Sequence, residues 1–195
     1  MHQYKGRLIV HTGSMFSGKT SSLEKDIKRF KIAGYNTVAF KPTLDTRYNK
    51  DTITTHDNTM IEALPCPSIE TVLEYVAHHD VDVIGIDEVQ FLEGELTDIL
   101  NAVDHILKLK KTVVVAGLDM DFEGNPFAIV KELMPRADYL TKHHAVCTCC
   151  GADAWVSHRK SADKSRIVIG AAEEYEPLCR NCYNELIDKE TNNSL

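Results

Sequence analysis

An α/β fold is predicted, a parallel sheet flanked by helices with a small C-terminal appendage, and three observations predict it. Short segments that are apolar throughout recur between Arg7 and His143, as a parallel sheet buried on both faces requires. Segments with a helical apolar period lie between them. Beyond about residue 144 that period is lost and cysteines cluster.

The first strand is expected over Arg7–His11. A glycine-bearing turn follows and opens a helix in which Leu23, Ile27 and Phe30 fall at i, i+4 and i+7. Thr37–Phe40 reads as the second strand. Ile69, Val72, Leu73 and Val76 make a second stripe, with Ser68 as its N-cap. Val81–Ile86 is the third strand, and Leu96, Ile99, Leu100, Val103, Ile106 and Leu107 make the clearest stripe. Thr112–Ala116 is the fourth strand and Tyr139–His143 a less apolar fifth. All three stripes read as core. The expected organisation is an α/β body over 1–143, a cysteine-bearing module over 144–187 and a disordered tail over 188–195.

With 195 residues the chain supports one full-sized core and a small module. Its 43% apolar and 26% charged residues suit a globular protein. A formal net charge of −7 argues against a large nucleic-acid surface, which needs a basic face. The apolar stretch around Leu8–Val10 is far shorter than a secretory or membrane-spanning segment. A cytoplasmic location without membrane contact is therefore expected, and in a reducing compartment the six cysteines point to thiols or metal rather than disulfides.

Gly13-Ser14-Met15-Phe16-Ser17-Gly18-Lys19-Thr20 fits G-x-x-x-x-G-K-[ST] between a strand and a helix. Glycines let backbone N–H groups curl around phosphate oxygens, and the helix N-terminus favours the anion. The pattern predicts ATP and Mg²⁺, with Lys19 on the β and γ phosphates and Thr20 on the metal. A second carboxylate is needed at another strand end. Asp87 and Asp119 both qualify; Asp87 is preferred because Glu88 follows it, so that one carboxylate holds the hydrated metal while the other takes a proton. The same pair can activate water, which leaves a phosphotransferase and an ATPase both open.

Cys147 and Cys150 form one C-x-x-C and Cys179 and Cys182 another, the ligand set of a closed structural Zn²⁺ site. Cys149 offers a tighter alternative in the first pair or is a spare thiol; Cys66 is expected to be a buried or loop cysteine, and His143 and His144 lie near enough to compete as ligands. The stretch from Cys150 to Cys179 exceeds the about 15 to 20 residues usual between such pairs. Its second half suits either a lid closing on a substrate or a plain hairpin filling its own core.

Together with Lys41-Pro-Thr-Leu-Asp45-Thr-Arg47-Tyr, Asp87-Glu88-Val89-Gln90-Phe91 and Ala116-Gly-Leu-Asp-Met-Asp-Phe122, these motifs resemble the type II thymidine kinases, from Arg7 to about Tyr183. The resemblance implies a P-loop (RecA-like) sheet with a zinc-ribbon and lasso domain, and transfer of the γ-phosphoryl of ATP to the 5′-hydroxyl of thymidine. By the resemblance Glu88 is the general base, Asp87 and Thr20 are the Mg²⁺ partners, Arg47 faces the transferred phosphoryl, and Asp45, Val89 and Gln90 belong to the donor site. Met15, Phe91, Leu118, Phe122, Phe127 and Tyr175 would form the base pocket, with Arg166, Ile167, Val168, Ile169 and Gly170 laid across the thymine. Cys149 and Arg166 depart from the family pattern, and Ser157 stands near a position where a threonine hydroxyl approaches the base. A homotetramer, inhibition by thymidine triphosphate and no nucleic-acid partner are further implications. The alternative is a nucleic-acid-stimulated P-loop ATPase whose strand-binding groove would draw on His158, Arg159, Lys160, Lys164 and Arg166.

Overall fold

The computed structural model describes residues 5–43, 52–54, 60–161 and 173–193. Strands β1 (Leu8–Gly13), β2 (Thr37–Pro42), β5 (Leu64–Cys66), β6 (Val83–Ile86), β7 (Thr112–Leu118) and β8 (Tyr139–His143) form one sheet in the order β5-β2-β6-β7-β1-β8. Every pairing in it is parallel. Helix α1 (Lys19–Ile32) covers one face; α2 (Ile69–His78), α3 (Leu96–Lys108) and α4 (Ala128–Leu133) cover the other.

Alternation along each strand divides the apolar residues between the two layers. Leu8 and Val10 of β1, with Val113 and Val115 of β7, enter the α2–α3–α4 core, whereas Ile9, Val114 and Ala116 meet Leu23, Ile27 and Phe30 of α1. This is why the strands read as continuous apolar runs. A Cβ on Gly85 would come within 3.0 Å of the Ile27 side chain, so α1 rests directly on β6 there.

The five expected strands are present, four of them longer or shorter by one or two residues at an end. β5 was not expected. Pro65 and Pro67 flank its only fully buried residue, Cys66, and prolines suit only an edge strand such as this one. Burial pushes the Cys66 thiol up to about 12, which leaves it unreactive.

A short antiparallel pair, β3 (Thr52–Thr54) and β4 (Met60–Glu62), lies outside the main sheet. After β8 the chain forms the hairpin β9 (Val156–Arg159) and β10 (Tyr175–Leu178), then α5 (Arg180–Asn193). A second small core of Cys147, Val156, Leu178 and Tyr183, joined by Trp155 and Ile187, holds these elements together. The tail expected at 188–195 is corrected in part, because α5 continues to Asn193. Asp188, Lys189 and Glu190 lack an apolar period, but Lys and Glu are good helix formers that prolong a helix already nucleated by packing.

Candidate active site

The phosphate loop leaves β1 at Gly13, whose φ is 136°, and a Cβ there would lie 2.1 Å from the His143 carbonyl oxygen. Only glycine fits. Gly18, at φ 83°, turns the loop into α1, and Phe16 also takes a left-handed φ of 63°. Lys19 is buried and its Nζ donates to the Ser14 carbonyl at 2.8 Å, while Ser17 Oγ donates to the same oxygen at 2.7 Å. Ser14 Oγ is buried without a hydrogen-bond partner among the described residues. A loop that curls its own lysine inward and leaves a buried hydroxyl unsatisfied fits a polyanion as its missing partner.

Asp87 directly follows β6 and is 3% exposed. Thr20 Oγ1 donates to its carboxylate, 3.2 Å from each oxygen. Burial first, and the neighbouring Glu88 second, push the Asp87 carboxyl up to about 7 against the pull of Lys41 and Lys19. Such a buried hard-oxygen group beside a hydroxyl suits Mg²⁺. The rival carboxylate, Asp119, is engaged elsewhere by Lys142 at 2.8 Å.

Glu88 takes a left-handed φ of 48° that turns the chain into a 3₁₀ turn over Val89–Phe91. Gln90 fastens it there: Nε2 donates to Glu88 Oε2 at 2.6 Å while Oε1 accepts from the Leu118 N–H at 3.1 Å. Gly117 makes room, since a Cβ would lie 2.8 Å from Gln90 Oε1. Expected as a donor-site residue, Gln90 is placed by the structure as the tether between Glu88 and the end of β7.

Of the expected base-pocket residues, Leu118 and Phe127 are buried in the main core, Met15 packs against that core, and the Phe91 and Phe127 rings meet edge-on at 6.4 Å. Phe122 and Tyr175 are joined by Arg159. Its guanidinium lies 3.8 Å from the Phe122 ring centroid and its Nη2 donates to Tyr175 Oη at 2.9 Å. Tyr183 Oη donates to the Phe122 carbonyl at 3.1 Å, and the Met15 N–H donates to Ser157 Oγ at 2.8 Å. The cysteine module is thus bound directly to the phosphate loop. Asp45, Arg47 and Arg166–Gly170 lie outside the described residues.

The Sγ atoms of Cys147, Cys150, Cys179 and Cys182 all fall within 4.8 Å of one another. Tetrahedral Zn–S bonds of about 2.3 Å place sulfurs about 3.8 Å apart, so the donor set and its spacing fit zinc. Burial opposes ionisation of Cys147, but the N–H groups of Cys179, Cys150 and Cys149 outweigh it and draw the thiol down to about 6. Cys149 is exposed and outside the cluster. The competing histidines are engaged elsewhere, His143 with His11 at 3.1 Å and His144 with the Ala154 carbonyl at 3.1 Å.

Comparison with known proteins adds the decisive observation. Residues 6–183 match the family described as thymidine kinase. The chain belongs to the thymidine kinase family. It is 41% identical over 179 residues to the thymidine kinase of Bacteroides thetaiotaomicron, covering 92% of this chain and 87% of that one. It is 39% identical over 178 residues to that of a Rhodothermus species, covering 91% and 81%. Among solved structures, the flagellar accessory protein FlaH of Methanocaldococcus jannaschii aligns with a TM-score of 0.53 at 18% identity, covering 76% of this chain and 75% of that one, a likeness of fold alone.

Within this thymidine kinase chain, two contacts near the phosphate loop leave little trace in the sequence. Arg159, one of the basic residues that the alternative reading assigns to a strand-binding groove, is 3% exposed. Its place in a strand, two residues after Ser157 on the same face, was the available signal. The chain Asp26–His11–His143 beside the loop left no local pattern at all.

Proposed function

We propose that this chain transfers the γ-phosphoryl group of ATP to the 5′-hydroxyl of thymidine. The observation that carries the reading is the pair at the tip of β6: Asp87 is held to the phosphate-loop Thr20, while Glu88 is turned away on a left-handed residue and clamped by Gln90. Two adjacent carboxylates are thereby given separate tasks. Lys19 and the loop N–H groups bind and align the polyphosphate. Glu88 accepts the proton of the attacking 5′-hydroxyl, a contribution of about 10² to 10⁴ in rate. Asp87 and Thr20 would hold Mg²⁺, which supplies charge neutralisation on the phosphate oxygens. Met15, Phe91, Leu118, Phe122, Phe127 and Tyr175 form the apolar wall that shields the acceptor base from water.

Cys147, Cys150, Cys179 and Cys182 would hold Zn²⁺, which would fix the β9–β10 hairpin against the phosphate loop. The roles implied for Asp45, Val89, Arg47 and the segment Arg166–Gly170 belong to the same proposal, as do inhibition by thymidine triphosphate, a homotetramer and a cytoplasmic location. The strand-activated ATPase is the less favoured reading. Its groove needs solvent-facing cations, and His158 and Arg159 are buried.

The test is incubation with γ-labelled ATP and Mg²⁺ plus thymidine, other nucleosides or single-stranded DNA. Label on thymidine is the expected result. Label released as free phosphate, faster with DNA, would overturn the assignment.

A further inference from the structure

A chain of ionisable groups, buried at His11 and half-buried at Asp26 and His143, runs along the α1 face of the sheet to the edge of the phosphate loop. Asp26 Oδ2 of α1 lies 3.1 Å from His11 Nε2, and His11 Nδ1 lies 3.1 Å from His143 Nε2. His11 is 7% exposed and Arg29 also meets Asp26, at 3.3 Å. His143 ends β8 opposite Gly13, the first residue of the loop, where its carbonyl oxygen leaves no room for a Cβ. None of these groups has a task in the phosphoryl transfer described above.

The hydrogen bond between the two imidazoles has one proton and two possible owners. Asp26 keeps a proton on His11 Nε2. When the pair is neutral, His11 Nδ1 accepts and His143 Nε2 donates, so His143 Nδ1 is an acceptor. With one more proton taken from solvent, His143 Nδ1 carries a hydrogen while its Nε2 still donates to His11 Nδ1. A single proton thus converts the outer nitrogen of His143 from acceptor to donor and places a positive charge on its imidazole. Burial, with His11, Lys19 and His144 as neighbours, holds His143 below the ordinary histidine range, so that charge is held back while the loop is without an anion.

The donor's course relative to the sheet gives this charge a use. The transferred phosphoryl must lie toward Asp87 and Glu88 on β6, and β8 stands on the other side of β1. The tip of β8 is thus on the side of the loop open to the part of the nucleotide remote from the transferred group.

We propose that His143, oriented by His11 and Asp26, is a further donor-binding residue that takes up a proton as the polyphosphate enters the loop. The proposal rests on the ATP-binding part of the function given above. The anion offsets the Lys19 charge that otherwise opposes protonation, and by linkage the protonated pair binds the donor more tightly. Lys142, one residue before His143, is paired with Asp119 and so contributes little to the balance.

The test is calorimetric titration of the full chain with Mg²⁺ and the non-hydrolysable analogue adenylyl imidodiphosphate, without thymidine, in buffers of different ionisation enthalpy. The wild type is expected to take up a fraction of a proton near pH 7 and to bind about three- to tenfold more tightly at pH 6 than the His143→Gln variant does relative to their ratio at pH 8. Asp26→Asn should move the uptake to lower pH, because the positively charged His143 loses the carboxylate at the far end of the chain. Absence of uptake in the wild type, or the same uptake in folded His143→Gln, would overturn the proposal. If that variant fails to fold by circular dichroism, the Asp26→Asn shift decides in its place. Because no acceptor is present, failure of thymidine phosphorylation leaves this result untouched, and failure of proton uptake leaves the kinase reading untouched.

Discussion

Gln90 donates to Glu88 at 2.6 Å and accepts from the Leu118 N–H at 3.1 Å, so one amide fixes the proposed base to the wall of the acceptor pocket. Replacing Gln90 by Leu removes both bonds with little change in volume. Glu88 loses its orientation, and a buried N–H is left unsatisfied at a cost of about 1 to 3 kcal/mol. The expected outcome is a fall in kcat of about tenfold or more with a smaller change in KM for thymidine. Glu88→Gln should fall further, by about 10² to 10⁴. Steady-state kinetics on the two variants checks the order; a Gln90→Leu enzyme with wild-type kcat would deny the tether its role.

The bond from the Met15 N–H to Ser157 Oγ joins the loop to the hairpin. Ser157→Ala leaves that N–H without its acceptor, whereas Ser157→Thr keeps a hydroxyl. Thermal unfolding and ATP titration should show the alanine variant less stable and weaker for the nucleotide, with threonine close to wild type. Equal behaviour of alanine and threonine would mean that the contact contributes nothing.

Removal of zinc should act through the same connection. Trp155 is the single tryptophan; Arg180 lies 3.9 Å over its ring and Tyr183 meets it edge-on at 5.6 Å. Its fluorescence therefore reports on the small core around the cysteines. Chelation is expected to release one zinc per chain, change that emission and abolish transfer, because β9 no longer supports Met15 or covers Phe122. Emission and activity that survive complete zinc loss would show that the hairpin holds itself.

Much of this was legible in the sequence because the signals are local. The phosphate loop, the Asp87–Glu88 pair and the cysteine pairs each lie within a few residues, and the chemistry dictates their spacing. What was not legible depends on which strands lie side by side. His143 reaches His11 only because β8 pairs with β1 in the register that sets Gly13 opposite His143. Arg159 resembles a surface cation until β9 is seen to pack on Phe122. β5 was obscured by its prolines, which are tolerated only because the strand is the last in the sheet.

The outer edge at β8 carries an acid-sensitive clamp. Asp138 Oδ2 accepts from the Leu8 N–H at 2.9 Å and Oδ1 meets Arg7 at 2.6 Å, which fixes the start of β8 beside the start of β1. Partial burial disfavours the Asp138 charge, but the Leu8 N–H and the Arg7 guanidinium outweigh it and hold the carboxyl below its ordinary value. A depressed folded-state pKa contributes stability that is fully present above the unfolded value of about 3.9 and is lost as pH falls through the folded value. Asp138→Asn should therefore melt a few degrees below wild type at neutral pH, and the gap should close as pH falls below about 4. Unfolding curves across that range provide the check. A gap that stays constant down to pH 3 would mean that packing, rather than the carboxylate charge, anchors the strand.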